Sequence, residues 1–124
     1  MTALMLHAIF ALGGGLGAVA RFLLTTTLTH RYPLSTLIVN VLGCFLLGLG
    51  LAVLWDVPCL LGEQERRLVA GFCGGFTTFS SFAYQSLDLH RRHSLLHASV
   101  NIGMNLVLCV VAFLAGRWAG GALG

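Results

Sequence analysis

The residues with the most chemical potential stand in one string, Gly71-Phe72-Cys73-Gly74-Gly75-Phe76-Thr77-Thr78-Phe79-Ser80-Ser81-Phe82. Two adjacent glycines and four hydroxyl residues make a poor continuous helix. Irregular backbone in an apolar medium is tolerated only where protein buries it or a cavity hydrates it, so a break here is expected to aim carbonyls at a specific recipient. A dehydrated Na+ is one candidate. Phe79 and Phe82, three apart, share a face of a helical turn, where their positive ring edges can meet an anion that has lost its water. Other polar side chains within apolar stretches are neutral donors and one cation: Asn40, Gln85, Asn101, Asn105 and Arg21. Amides and hydroxyls donate hydrogen bonds without carrying charge, which suits a path for a small, strongly hydrated anion. A plainer reading stands beside this one, with the glycines serving helix packing, the phenylalanines lipid-facing bulk, and Asn40, Asn101 and Asn105 interhelical hydrogen bonds.

No Asp, Glu or Lys lies well inside an apolar stretch. Proton-coupled exporters, including four-helix multidrug types of this length, need an intramembrane carboxylate, so that class is disfavoured. Arg21 is expected to be structural, because a guanidinium within a pore would trap an anion. Snorkelling, or capping the carbonyls of a broken helix, fits it better. His90, His93 and His97 have metal-like helical spacing, but the basic surroundings favour an interfacial role. Cys44, Cys59, Cys73 and Cys109 form no C-x-x-C pair and read as small apolar packing residues.

The elements that must position these groups follow from the charge distribution. Only 9% of the 124 residues are charged and 57% are apolar, whereas a soluble domain carries charge at about a quarter of its positions. Between charges lie four uncharged runs: Thr2 to Ala20, Tyr32 to Trp55, Leu68 to Leu87 and His93 to Gly116. Each has the roughly 20 residues that a helix needs to cross about 30 Å of hydrocarbon. A secreted disulfide scaffold, a nucleic-acid binder and an ordinary cytosolic enzyme are excluded. The expectation is an all-α membrane protein, one four-helix transmembrane domain over residues 1–124, with helices near 4–28, 35–54, 68–87 and 95–117 and the third broken near mid-membrane. The first run has no basic residue before Arg21 and reads as a retained helix rather than a signal peptide. Pro33 marks one turn, while Pro58, Gly62 and the polar stretch from Asp56 to Arg67 form a loop. Gly13 and Gly17 make a G-x-x-x-G pair that lets another backbone approach.

Four spans put Arg66, Arg67 and Arg117 on one side and Arg31, Arg91 and Arg92 on the other. So even a balance leaves the positive-inside rule little to act on, and the chain could insert either way up. Paired with an inverted copy, it would form an antiparallel assembly.

The strings Gly14-Gly15-Leu16-Gly17-Ala18-Val19-Ala20-Arg21, Thr36-Leu37-Ile38-Val39-Asn40-Val41-Leu42-Gly43 and Gly71 to Phe82 together resemble the Fluc-type fluoride channels, also called CrcB proteins. The resemblance covers essentially all four spans. It implies a dual-topology antiparallel homodimer in the bacterial inner membrane, with two fluoride pores and a structural Na+ at the two-fold axis, passively exporting cytoplasmic fluoride and so conferring fluoride resistance. By motif position, the backbone carbonyls of Gly74 and Thr77 resemble those that hold Na+. Phe79 and Phe82 resemble the pore phenylalanines, Asn40 the pore amide, and Ser80 and Ser81 the polar track. Gly74 is also expected to need glycine's backbone freedom. The chain departs from the family pattern at Ser81, at Gln85 where Glu is common, and in the fourth span, where Asn101, Asn105 and Cys109 replace Tyr, Ser and Ser. Asn105 is nonetheless placed on the fluoride pathway. Fluoride, Na+, membrane lipids and a second copy are the expected partners, and nucleic acid is not. The competing functions are a coupled small-solute exporter and a non-transporting assembly factor.

Overall fold

In the computed structural model, residues 2–28, 33–55 and 62–123 are described. Arg31, Asp56, Pro58 and Cys59 lie outside them. Helix α1 (Ala3–Thr27) starts at Thr2, whose side chain accepts a hydrogen bond from the Met5 N–H at 3.4 Å. Its end is polar, yet the hydroxyls of Thr25, Thr26 and Thr27 fold back at 2.8 Å onto the carbonyls of Arg21, Phe22 and Leu24. Three hydroxyls are thereby satisfied within one apolar helix. Helix α2 (Leu34–Gly50) follows Pro33 and runs on through a π-helical turn, Leu51–Trp55.

Two helices stand where one span was expected: α3 (Glu63–Phe76) and α4 (Phe79–Arg92). Helix α5 (Leu95–Leu123) completes the described chain. The helical path begins before 68 and continues past 87, which corrects the bounds drawn from the charges. Charged residues do not stop a helix when they pair along it. Glu63 and Glu65 lie in the first turn of α3, where negative charge complements the helix dipole, and Arg67 Nε meets Glu63 Oε1 at 2.8 Å. At the far end Arg92 Nε meets Asp88 Oδ1 at 2.9 Å, one helical turn away. Helix α5 likewise passes Arg117.

Helix α1, α2 continued to Trp55, and α5 are each long and apolar enough to cross a membrane, at 25, 22 and 29 residues. Helices α3 and α4 have 14 residues each, about 21 Å apiece, and only in series reach the length of a span. Large apolar side chains such as Leu12, Val19, Phe22, Val107, Leu114 and Trp118 face outward. In water such a surface would aggregate, whereas in lipid it is solvated.

Glycines set the packing. A Cβ on Gly13 would fall on the Leu68 carbonyl oxygen, one on Gly17 on that of Phe72, one on Gly71 on that of Phe10, and one on Gly75 on that of Gly14. The G-x-x-x-G pair of α1 thus meets a second one, Gly71 and Gly75, on α3, and the rising order of partners makes the two helices parallel. Helices α2 and α5 cross in the same way: Gly48 lies against the Phe113 carbonyl and Gly116 against that of Phe45. Backbones brought this close gain dispersion and Cα–H···O contacts, the forces left to helix association where the solvent is itself apolar. Between these pairs, Gly43 of α2 faces Thr77 and Gly50 faces Val69, so α2 runs antiparallel to α3.

Candidate functional site at the interrupted helix

Thr77 (φ −83°, ψ 157°) and Thr78 (φ −147°, ψ 117°) are extended residues between α3 and α4. Three anchors hold this break. The Thr77 N–H and hydroxyl both donate to the Cys73 carbonyl, at 3.2 and 3.1 Å. Arg21 Nε donates to the Gly75 carbonyl at 3.2 Å. From α2, Asn40 accepts the Thr78 N–H on Oδ1 at 2.8 Å and donates from Nδ2 to the Thr78 carbonyl at 3.1 Å. The interrupted backbone is thus satisfied by side chains from α1 and α2. Electrostatically the break joins two helix ends of opposite character. Carbonyls at the end of α3 carry partial negative charge, and N–H groups at the start of α4 carry partial positive charge.

The Thr78 hydroxyl caps α4 by accepting from the Ser81 N–H at 3.2 Å, and lies 3.2 Å from the hydroxyls of both Ser80 and Ser81. Beside the break, a groove of about 260 Å³ is lined by Asn40, Cys44, Thr77, Thr78, Phe79, Phe82, Asn105 and Cys109, among others. Of the residues singled out in sequence, the structure brings Asn40, Thr77, Phe79, Phe82 and Asn105 onto this wall. Ser80 and Ser81 stay with the Thr78 hydroxyl, and Arg21, Gly74 and the half-buried Gln85 lie off the groove. Phe79 and Phe82 have ring centroids 5.2 Å apart with planes tilted by 58°. Phe79 is 74% exposed and Phe82 only 7%. Phe76 turns the other way, stacking on Phe72 at 5.6 Å.

Gly74 corrects one expectation. It is exposed and lies within α3 without a left-handed φ, and a Cβ there would meet nothing within 4 Å. Glycine's backbone freedom is not required at this position within the protomer. The steric demand falls on its neighbour Gly75.

Behind Phe82 runs a ladder of buried polar groups that sequence reading did not connect. Asn105 Nδ2 donates to the Asn101 carbonyl at 2.9 Å, Asn101 Nδ2 to the Ser86 hydroxyl at 3.0 Å, and Ser86 Oγ to the Phe82 carbonyl at 2.8 Å. Asn105 Oδ1 is buried without a partner among the described residues. Phe82 also lines a second groove, of about 410 Å³, with Ser86 and His90, and so stands between the two. Thr78 belongs to the hydroxyl cluster read from the sequence, whereas Ser86 and Cys44 were not singled out as site residues. The available signal was helical spacing: Ser86 and Cys44 each follow a named residue, Phe82 and Asn40, by four positions. His93 and His97 stack with centroids 5.1 Å apart, and among the described residues no three His, Cys, Asp or Glu side chains are placed to hold a metal ion.

Apolar spans and an interrupted helix define a multi-pass helical membrane protein, with a largely apolar groove beside the break that carries a few amide and hydroxyl groups. A family model described as "CrcB-like protein, Camphor Resistance (CrcB)" matches residues 8–117. The chain is 39% identical over 122 residues to the fluoride-specific ion channel FluC of Methylobacterium radiotolerans, covering 90% of this chain and 85% of the relative. It is 37% identical over 124 residues to the FluC of Geobacter sulfurreducens, covering 97% and 94%. With the FluC of Opitutus terrae it shares 41% identity over 120 residues, covering 92% and 91%. The chain belongs to the CrcB family of Fluc-type fluoride channels, a family of channels rather than enzymes.

Proposed function

We propose that this chain conducts fluoride passively, as an antiparallel homodimer with two pores per dimer, and thereby exports fluoride from the bacterial cytoplasm across the plasma membrane. The observation that carries this reading is the groove at the break, which combines neutral donors with two phenylalanines and, among the described residues, has no carboxylate in its lining. Asn40 spends one amide hydrogen on the Thr78 carbonyl and keeps the second, a donor that can replace a water of a small anion. Chloride is larger, so a groove closed around fluoride must widen to pass it, which is the basis proposed for selectivity. The printed names of the relatives, fluoride-specific ion channels, support the same ion.

The inverted dimer is supported by what one protomer leaves uncovered. Ser80, Phe79 and Gly74 are exposed around the break, and hydroxyls beside irregular backbone are poorly solvated by lipid tails. A second copy would cover them. The Na+ assignment rests on the same face. Carbonyl oxygens suit a hard cation, and the end of α3 concentrates them at negative potential. Gly74 and Thr77 would offer two oxygens per chain, so the ion would need both protomers. Na+ would supply charge to neutralise converging carbonyls, and no step of fluoride movement is assigned to it.

Fluoride efflux from proteoliposomes tests the proposal. With valinomycin carrying the compensating K+, a passive channel dissipates a fluoride gradient with no coupling ion, and chloride does not follow. Efflux that requires a proton or Na+ gradient would instead establish an exporter. No efflux from folded protein would leave a structural assembly factor.

A further inference from the structure

Cys44 of α2 and Cys109 of α5 both line the groove that holds Asn40 and Asn105, each one helical turn beyond the asparagine on its own helix. Both are partly exposed rather than buried. Both thiols stand on the wall of this one groove and lie within interaction range of each other, so the two sulfurs are neighbours across the helix pair. The backbones that carry them are held firmly, because α2 and α5 cross next to the pair with Gly48 against the Phe113 carbonyl and Gly116 against that of Phe45, while each thiol turns about its own χ1 to admit an ion between the sulfurs. Cys73 also lies near Cys44. It is only 4% exposed, however, and opens onto a different, apolar cleft beside Phe72.

We propose that Cys44 and Cys109 form a two-sulfur binding site for a soft, linearly coordinating d10 cation such as Hg2+ or Ag+, seated in the groove beside Asn40. Ligand number sets the class of metal. Zinc takes four ligands, and the described residues contain no group of three His, Cys, Asp or Glu side chains placed to share one ion. Two thiolates suit ions that are satisfied by two soft donors on opposite sides. The step balances without oxidant or reductant. Each S–H bond breaks, each sulfur forms a bond to the metal, and Hg2+ releases two protons to give a neutral bis-thiolate. Two sulfurs preset on two rigid helices bind as a chelate, which exceeds single-thiol capture by a factor set by effective concentration.

The test uses full-length protein in which Cys59 and Cys73 are replaced by alanine. HgCl2 is titrated in competition with a small-molecule thiol, protons are counted, and mercury X-ray absorption reads the number of sulfur neighbours. The expected result is one Hg2+ per chain with two protein sulfurs and two protons released. Methylmercury, which accepts one thiolate, should titrate to two per chain. Cys44→Ser and Cys109→Ser should each lower Hg2+ affinity by about 100-fold or more, and Cys109→Ala, read by circular dichroism alongside, separates this loss from misfolding. Two Hg2+ per chain, a single protein sulfur per mercury, or unchanged affinity in either folded serine variant would overturn the site. None of these readouts depends on ion flux, so their failure leaves the fluoride proposal standing.

Discussion

Asn40 and Thr78, 38 positions apart, are joined by two hydrogen bonds in which the asparagine amide takes the place of a neighbouring strand: Oδ1 accepts the Thr78 N–H at 2.8 Å and Nδ2 donates to the Thr78 carbonyl at 3.1 Å. An extended residue between two helices has no intrahelical partner for these groups. Leaving them unmet in an apolar interior costs about 1–3 kcal/mol each. Asn40 therefore closes the break while lining the groove beside it.

Asn40→Asp tests both duties. A carboxylate can still accept the Thr78 N–H, but faces the Thr78 carbonyl with a second acceptor, and it either repels an anion or takes up a proton. Fluoride efflux should fall by about tenfold or more, the equivalent of about 1.4 kcal/mol in the barrier. Unfolding in detergent should show a loss of about 1–3 kcal/mol while helical content persists. Normal flux at neutral pH in the folded variant would remove Asn40 from the conduction path.

The two phenylalanines separate by burial. Phe82→Ile should cost about 1 kcal/mol of protomer stability, because its ring is enclosed, whereas Phe79→Ile should leave stability nearly unchanged. Both should slow fluoride, since isoleucine keeps bulk and lacks the positive ring edge. Phe76→Ile, on the opposite face with Phe72, should disturb packing more than flux. The face assigned to the pore is wrong if flux follows Phe76 and ignores the other two.

Glycine substitutions should divide sharply along α3. At Gly71 or Gly75 a Cβ would meet backbone of α1, which cannot rotate away, so Gly71→Ala should destabilise the fold by about 1–3 kcal/mol or more. Gly74→Ala should be tolerated within the protomer, being free of contacts there. Thermal unfolding of the two variants side by side decides this, and equal losses would mean that the parallel α1–α3 crossing is misplaced.

Removal of Na+ addresses the proposed dimer. An ion bound only by the assembled state stabilises that state by mass action, so prolonged exchange into Na+-free medium should lower both dimer fraction and efflux. Gly74→Val should reproduce this loss without unfolding the protomer, because its side chain projects into the face assigned to the second copy. Full activity after verified loss of the ion would make Na+ dispensable.

Much of this was legible in residue order alone. Charge scarcity and run length make a multi-pass membrane protein unavoidable, because that apolar fraction cannot be hidden in 124 residues. The string Gly71 to Phe82 marks the interruption, because hydroxyls and glycines weaken a helix locally. Arg21 reads as structural because a guanidinium within a pore would trap an anion, and its Nε lies 3.2 Å from the Gly75 carbonyl. Element ends were less legible. Arg67 and Arg92 marked the edges of uncharged runs, yet each pairs one turn back and lies inside a helix.

What only the tertiary structure decided is which residues meet. Periodicity places Asn40, Asn105, Cys44 and Cys109 on faces of their own helices, but the rotation of one helix against another depends on where backbones can touch. Glycines on both partners set that rotation through contacts between residues far apart in the chain: Gly17 with Phe72, Gly116 with Phe45. The same crossings bring Thr78 within reach of Asn40 and Asn101 within reach of Ser86. Composition and local spacing determine the solvent, the helices and the place of the break. Pairing across the bundle is a many-body packing result that no local window of sequence contains.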